Sequence, residues 1–156
     1  MMSAEYYFKT LALADLSEMM EIERNSFDNS WSAQVMRDSL SAAHTQAFGI
    51  AMASTHKLIG YVVLSSVLDE AEILSMAIHK SEQGKGYGKA LLGYAIAEAK
   101  KAGAQAIYLE VRASHPVAIP LYQKFGFVRI GMRPDYYPNV HTGKPDDALL
   151  MSLLVG

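Results

Sequence analysis

Three stretches of this 156-residue chain carry residues whose types and spacing could do chemistry. The first is "SEQGKGYGKALL", Ser81 to Leu92, which sets glycines at 84, 86 and 88 and then runs into a helix-forming sequence. Glycine lets a backbone turn sharply and lets a ligand lie against bare N–H groups. The first N–H groups of a helix have no partner within it, and the helix dipole there favours an anion. The chemistry suggested is phosphate binding. It is not a Walker loop, because Gly88-Lys89 is followed by Ala90 and Gln83 stands where the first glycine belongs. A dinucleotide fingerprint fails as well, since Lys89 or Leu91 falls on its last glycine. What remains is Gln83-x-x-Gly86-x-Gly88, which by its residues alone reads equally as an anion cradle or as a tight strand-to-helix turn.

The second stretch is "IYLEVR". On a strand, Ile107, Leu109 and Val111 share one face and Tyr108, Glu110 and Arg112 the other. Glu110 is thus a candidate general base, or an acid on a solvated polar face. Glu72, on the preceding strand, is a second candidate. The third is "LYQKFGF", where Tyr122, twelve residues after Glu110, could donate a proton to a leaving group or pack in a core beside Leu121 and Phe125. Tyr136 and Tyr137 in "YYPNVHTGKPDD" either wall a substrate site or belong to an aromatic hairpin loop. Trp31, the single tryptophan, either lines a slot or pins two helices together.

Composition narrows the choices. About half the residues are apolar, and the formal net charge is −2, which gives no general attraction to nucleic acid or an acidic membrane. There is no cysteine, so disulfides, thiolate metal sites and a cysteine nucleophile are excluded. The five histidines (His44, His56, His79, His115, His141) are scattered without ligand spacing, so no metal is expected. No basic leader precedes an apolar core and no apolar run approaches a membrane span; a cytoplasmic protein is expected.

These residues need elements to position them. The pattern predicts a strand over 5–10 and a helix from Asp15 with Leu16, Met19, Met20 and Phe27 inward. It also predicts a short helix capped by Ser32 and ending near Ser41. Strands follow over 47–54, 58–67 and 71–79, with turns in "HKLIG" and "LDEAE". A helix from Gly86 to Ala102 buries Leu91, Leu92, Ala95, Ile96 and Ala99, and Gly103 stops it. Then come a strand over Ile107–Arg112, a helix over 117–125, and strands over 127–131 and 147–154. The order indicates one domain over 1–156 built on a mixed α/β sheet.

Strand, glycine loop, helix, strand and tyrosine in this order resemble the GCN5-related N-acetyltransferases (GNAT). The segments "LDEAEILSMAI", "LEVRAS", "AIPLYQKFGF" and "YYP…DDALLM" are similar to the family's bacterial branch that acetylates ribosomal-protein N-terminal alanines. The resemblance runs from Asp15 to Met151. It implies a mostly antiparallel sheet flanked by helices, with two central strands splayed to form a slot for acetyl-CoA. Backbone groups of Met76, Ala77 and Ile78 would pair with the pantetheine arm. Gln83, Gly84, Lys85, Gly86, Tyr87, Gly88 and Lys89 would hold the pyrophosphate, and His115 would stand where the branch usually has a cofactor-contacting asparagine. Glu110 would be the base and Tyr122 the acid, with Trp31, Glu72, Tyr136 and Tyr137 around the acceptor. The partner implied is the N-terminus of a small-subunit ribosomal protein. Lysine or polyamine acetylation, and an acetyl-CoA sensor without turnover, are the alternatives. Pro120, inside the helix that carries Tyr122, predicts a late start or a bend there.

Overall fold

The computed structural model describes residues 5–26, 30–138 and 143–156. The aromatic and β-branched residues of "YYFKTL", which favour strands, open the chain as β1 (Tyr6–Leu11). A 3-10 turn over Leu13–Asp15 leads into α1 (Leu16–Ser26). Met19, Met20 and Ile22 are buried on this helix; Phe27 lies outside the described residues. The Ser32 hydroxyl accepts from the Val35 N–H at 3.1 Å and so starts α2 (Ala33–Ser41), as N-capping requires.

Three antiparallel strands follow: β2 (Thr45–Met52), β3 (Leu58–Val67) and β4 (Glu70–Ile78). The glycine loop then delivers α3 (Tyr87–Lys101). Gly103, at φ +98°, ends it, and β5 (Ala106–Arg112), α4 (Ala118–Lys124), β6 (Val128–Tyr137) and β7 (Asp146–Leu154) complete the chain. Among the described residues seven strands form one sheet in the order β1-β2-β3-β4-β5-β7-β6. Every pairing is antiparallel except β4 with β5, because α3 is the crossover that joins those two.

Helices cover both faces. Against α3 and α4, a core of Phe48, Ile50, Val62, Leu91, Leu92, Ile107, Leu109 and Phe127 is closed to solvent. Against α1 and α2, a smaller core gathers Met19, Met20, Ile22, Met36, Tyr61 and Val63.

Two expectations are corrected. "HKLIG" is only partly a turn, since Leu58 to Gly60 already belong to β3. The strand expected over 127–131 continues to Tyr137. Gly131 and Pro134 suppress a strand reading, but β6 is the sheet's edge and tolerates both. Its register to β7 breaks between Arg133 and Tyr137, the stretch that holds Pro134 and Asp135, the latter at φ +52°.

Pro120 does not disturb α4. It is the third residue of the helix, where the N–H would have no intrahelical partner anyway. The first ladder bond, Leu121 N–H to the Val117 carbonyl at 3.3 Å, is one residue later.

Candidate active site

The site begins where β4 and β5 part. They pair in parallel from Glu70↔Ala106 to Ile73↔Leu109 and no further. β4 continues to Ile78 along β3, and β5 continues to Arg112 along β7. The cause lies in β4: its register to β3 jumps from Leu64↔Ile73 to Val63↔Ser75, leaving Leu74 as a bulge. A bulge bends and twists its strand, here away from β5. Beyond it, the backbone edge of Ser75 to Ile78 that faces away from β3 meets no strand. The side chains of Met76 and Ile78 pack on the α3 core, and Ala77 joins the α1 core. What these three offer the slot is backbone.

The slot runs toward the glycine loop. Gly84 and Gly86 have φ of +77° and +90°, the left-handed region that favours glycine. Gly86 is the N-cap of α3 and supplies no side-chain cap, so among the described residues the N–H groups of Tyr87, Gly88 and Lys89 are the first-turn donors that the helix itself leaves over. A Cβ on Gly88 would meet only ordinary contacts, Leu121 at 3.5 Å and Ile78 at 3.7 Å. Packing therefore does not demand a glycine at 88, whereas a ligand lying on the helix entrance would. Gln83 donates from its side-chain amide to the Ile78 carbonyl at 3.1 Å, fixing the loop to the end of β4. Lys85 pairs with Glu82 at 3.1 Å and Lys89 is exposed. The Tyr87 ring is buried edge-on to Tyr6, so only its backbone faces the loop.

At the opposite end, side chains make the site. A cleft of about 370 Å³ is lined by Glu70, Glu72, Tyr108, Glu110, Ile130 and Leu150 among others. Glu110 is half-buried and accepts an ion pair from Arg133 at 3.2 Å. Burial, and then the Glu110 carboxylate, hold the Glu72 carboxyl above its usual range, and Arg133 opposes them. The Arg112 guanidinium lies 4.8 Å from the centre of the Tyr137 ring, and Arg133 lies 5.4 Å from that of Tyr136. Neither tyrosine is part of the cleft lining; Tyr137 is near enough for the Glu110 carboxylate to raise its hydroxyl, after burial, and Tyr136 packs edge-on to Tyr137.

Tyr122 is buried on α4 and packs edge-on to Phe127. Burial, then Tyr137, push its hydroxyl up to about 12. His115 accepts at Nδ1 from the N–H groups of Val117 and Ala118, at 3.3 and 3.1 Å. It therefore caps α4, and only Nε2 is left for a ligand. Burial, then Arg112, lower its pKa. Trp31 is half-buried against the α1 core. Among the described residues no group of His, Cys, Asp and Glu could hold a metal ion, and no helix is long and apolar enough to cross a membrane.

Sequence reasoning passed over Arg112, Arg133 and Glu23 as site residues. Glu23 is only 1% exposed. It accepts from the Tyr61 hydroxyl, from Ser75 Oγ at 3.2 Å and from the Trp31 N–H at 3.0 Å. The signal for it was present: Glu23 falls four residues after Met19 and three after Met20, on the apolar stripe of α1.

The parted β4–β5 pair, the open helix entrance and the carboxylate cleft lie on one sheet. Residues 16–127 match the model of the acetyltransferase (GNAT) family, and the chain belongs to that family. It is 32% identical over 138 residues to the [ribosomal protein bS18]-alanine N-acetyltransferase of Haemophilus influenzae, covering 88% of this chain and 91% of that one. The crystal structure of the ribosomal-protein-S18-alanine N-acetyltransferase from Escherichia coli superposes with a TM-score of 0.91, at 30% identity over 97% and 95% of the two chains. Arabidopsis thaliana NAA60 in complex with acetyl-CoA shares the fold, with a TM-score of 0.84 at 18% identity over 97% and 99%.

Proposed function

We propose that this chain transfers the acetyl group of acetyl-CoA to the N-terminal alanine of the small-subunit ribosomal protein bS18. The observation that carries the reading is the parting of β4 from β5, with backbone donors along one limb and Glu72 and Glu110 at the mouth. Support for the acceptor comes from the near full-length similarity to enzymes of that name.

In the slot, the open backbone of β4 from Ser75 to Ile78 takes the pantetheine arm as an added strand. The N–H groups at the α3 entrance take the pyrophosphate. An amide of β4 faces the thioester oxygen, where negative charge develops. The acceptor nitrogen bonds to the carbonyl carbon, the C–S bond breaks, and Glu110 receives the amine proton directly or through water. An α-amine has pKa about 7.7–8.0 against about 10.4 for lysine. The free amine at pH 7 therefore costs about 1–1.4 kcal/mol in one case and about 4.6 kcal/mol in the other. A single carboxylate suits the first.

Tyr122 takes a narrower part than its sequence position implies. With its hydroxyl at about 12 and a thiol near 8.5, full proton transfer to the departing sulfur is about 5 kcal/mol uphill. Tyr122 instead donates a hydrogen bond to that sulfur, which leaves as the thiolate and takes its proton from Glu110, through water, as the base is reset.

The test is CoA release from acetyl-CoA with an Ala-starting bS18 peptide, its pre-acetylated form, a lysine peptide and spermidine. Selective turnover of the free Ala-starting peptide is expected. Turnover of lysine or spermidine instead would replace the acceptor, and tight acetyl-CoA binding with no turnover would replace the enzyme by a sensor.

A further inference from the structure

Glu110 and Glu72 stand on neighbouring parallel strands. Glu72 is in register with Tyr108, and Glu110 lies one residue past the last pair. Both line the same cleft. Two carboxylates so placed repel, and one of them tends to hold a proton. A protonated base cannot take the amine's proton, so the pair needs a counter-ion.

Five elements surround this pair, and β3 brings no titratable group to it, only Ser65 and Val67. β4 adds Glu70, and β5 adds Tyr108 and Arg112. β6 adds Arg133, Tyr136 and Tyr137. β7 contributes only Leu150 and Met151 to the cleft wall, with Ala148 in the row where Arg112 and Arg133 both register on it. Of the two guanidiniums, Arg112 is turned to the Tyr137 ring and donates to the Pro138 carbonyl at 3.4 Å. Arg133 alone among the described residues forms an ion pair with Glu110. It reaches across β7 to do so, over the small side chain of Ala148. Its own side chain is 54% exposed, so the contact is not a by-product of core packing.

We infer that Arg133 is a positioning residue for the acceptor end of the slot, the counter-ion that keeps Glu72 and Glu110 ionised together where the amine arrives. Its place opposes the field that Glu110 exerts on Glu72, the direction in which the Glu72 carboxyl responds to it. The inference rests on the reading of Glu110 as base, but its first readout does not require turnover.

The experiment follows the side-chain carboxyl resonances of Glu72 and Glu110 by 13C NMR from about pH 3 to 8, in the wild type, Arg133→Met and Arg133→Lys. An opposite charge at this distance lowers a carboxyl pKa by about one unit or more. In Arg133→Met the Glu72 midpoint should therefore rise, and in Arg133→Lys it should return. The acidic limb of kcat with the Ala-starting peptide should move in the same direction while the high-pH plateau is kept. A purely structural role would lower kcat at every pH and leave the limb in place. A Glu72 midpoint that stays put in Arg133→Met, or that moves as far in Arg133→Lys, overturns the assignment. If the midpoint shifts as expected and the wild type acetylates no amine, the acceptor reading falls and the role of Arg133 stands.

Discussion

The two ends of the slot are built from different material. Toward α3, the site is backbone: an unpaired edge of β4 and three N–H groups at a helix entrance shaped by Gly84 and Gly86. Toward the sheet edge, the cleft is side chain: Glu72 and Glu110 line it, and Arg133 pairs with Glu110. The first end suits a ligand that is always the same, because backbone donors impose geometry without depending on a particular side chain. The second suits a charged, variable acceptor, whose amine must be drawn in and deprotonated. The two ends should therefore respond separately to substitution.

The sharpest separation is expected from Glu110→Gln. Loss of a positioned base lowers turnover by about 10²–10⁴, while the acetyl-CoA dissociation constant measured by calorimetry stays at the wild-type value. Glu23→Ala comes next. It leaves the Trp31 N–H and one of the Tyr61 and Ser75 hydroxyls, which still bond each other at 3.1 Å, without an acceptor. Unsatisfied buried donors cost about 1–3 kcal/mol each, so urea unfolding should show a loss of about 3 kcal/mol.

Tyr122→Phe removes one hydrogen bond to a developing thiolate, worth about 1.5 kcal/mol or more, and kcat should fall about tenfold. With its hydroxyl at about 12, Tyr122 stays protonated through the assay range. The substitution should therefore lower the pH–rate profile without changing its shape. Gly86→Ala is the smallest and strikes the other end. A non-glycine residue at φ +90° costs about 1–2 kcal/mol, so acetyl-CoA affinity should weaken by up to about tenfold while the acceptor KM is kept.

The same contrast explains what could be read from the chain. The backbone end was legible because glycine spacing is a local signal: Gln83, Gly86 and Gly88 announce a turn into a helix within six residues. Most elements were legible for the same reason, down to the Ser32 cap. At the side-chain end, Glu110 could be placed on a face of β5 by alternation, but its neighbours could not. Arg133 meets Glu110 only through the register of β6 on β7 and of β7 on β5, a long-range fact. The extension of β6 past Pro134 was hidden because strand propensity does not know which strand is an edge. The bulge at Leu74, which opens the slot, left no mark in "EILSMAI" that alternation alone could detect. Glu23 is the instructive exception: an acid on the apolar stripe of α1 signals, by its position in the helical repeat, that buried donors must meet it.

Hydrogen exchange of the backbone amides, with and without acetyl-CoA, tests the division between the two ends most directly. The account predicts that acetyl-CoA slows exchange in the open stretch of β4 over 75–78 and at the α3 entrance over 84–89. The acceptor end, β6 and the start of β7, should be left nearly unchanged. Protection confined to β6 and β7, or none on β4, would contradict it.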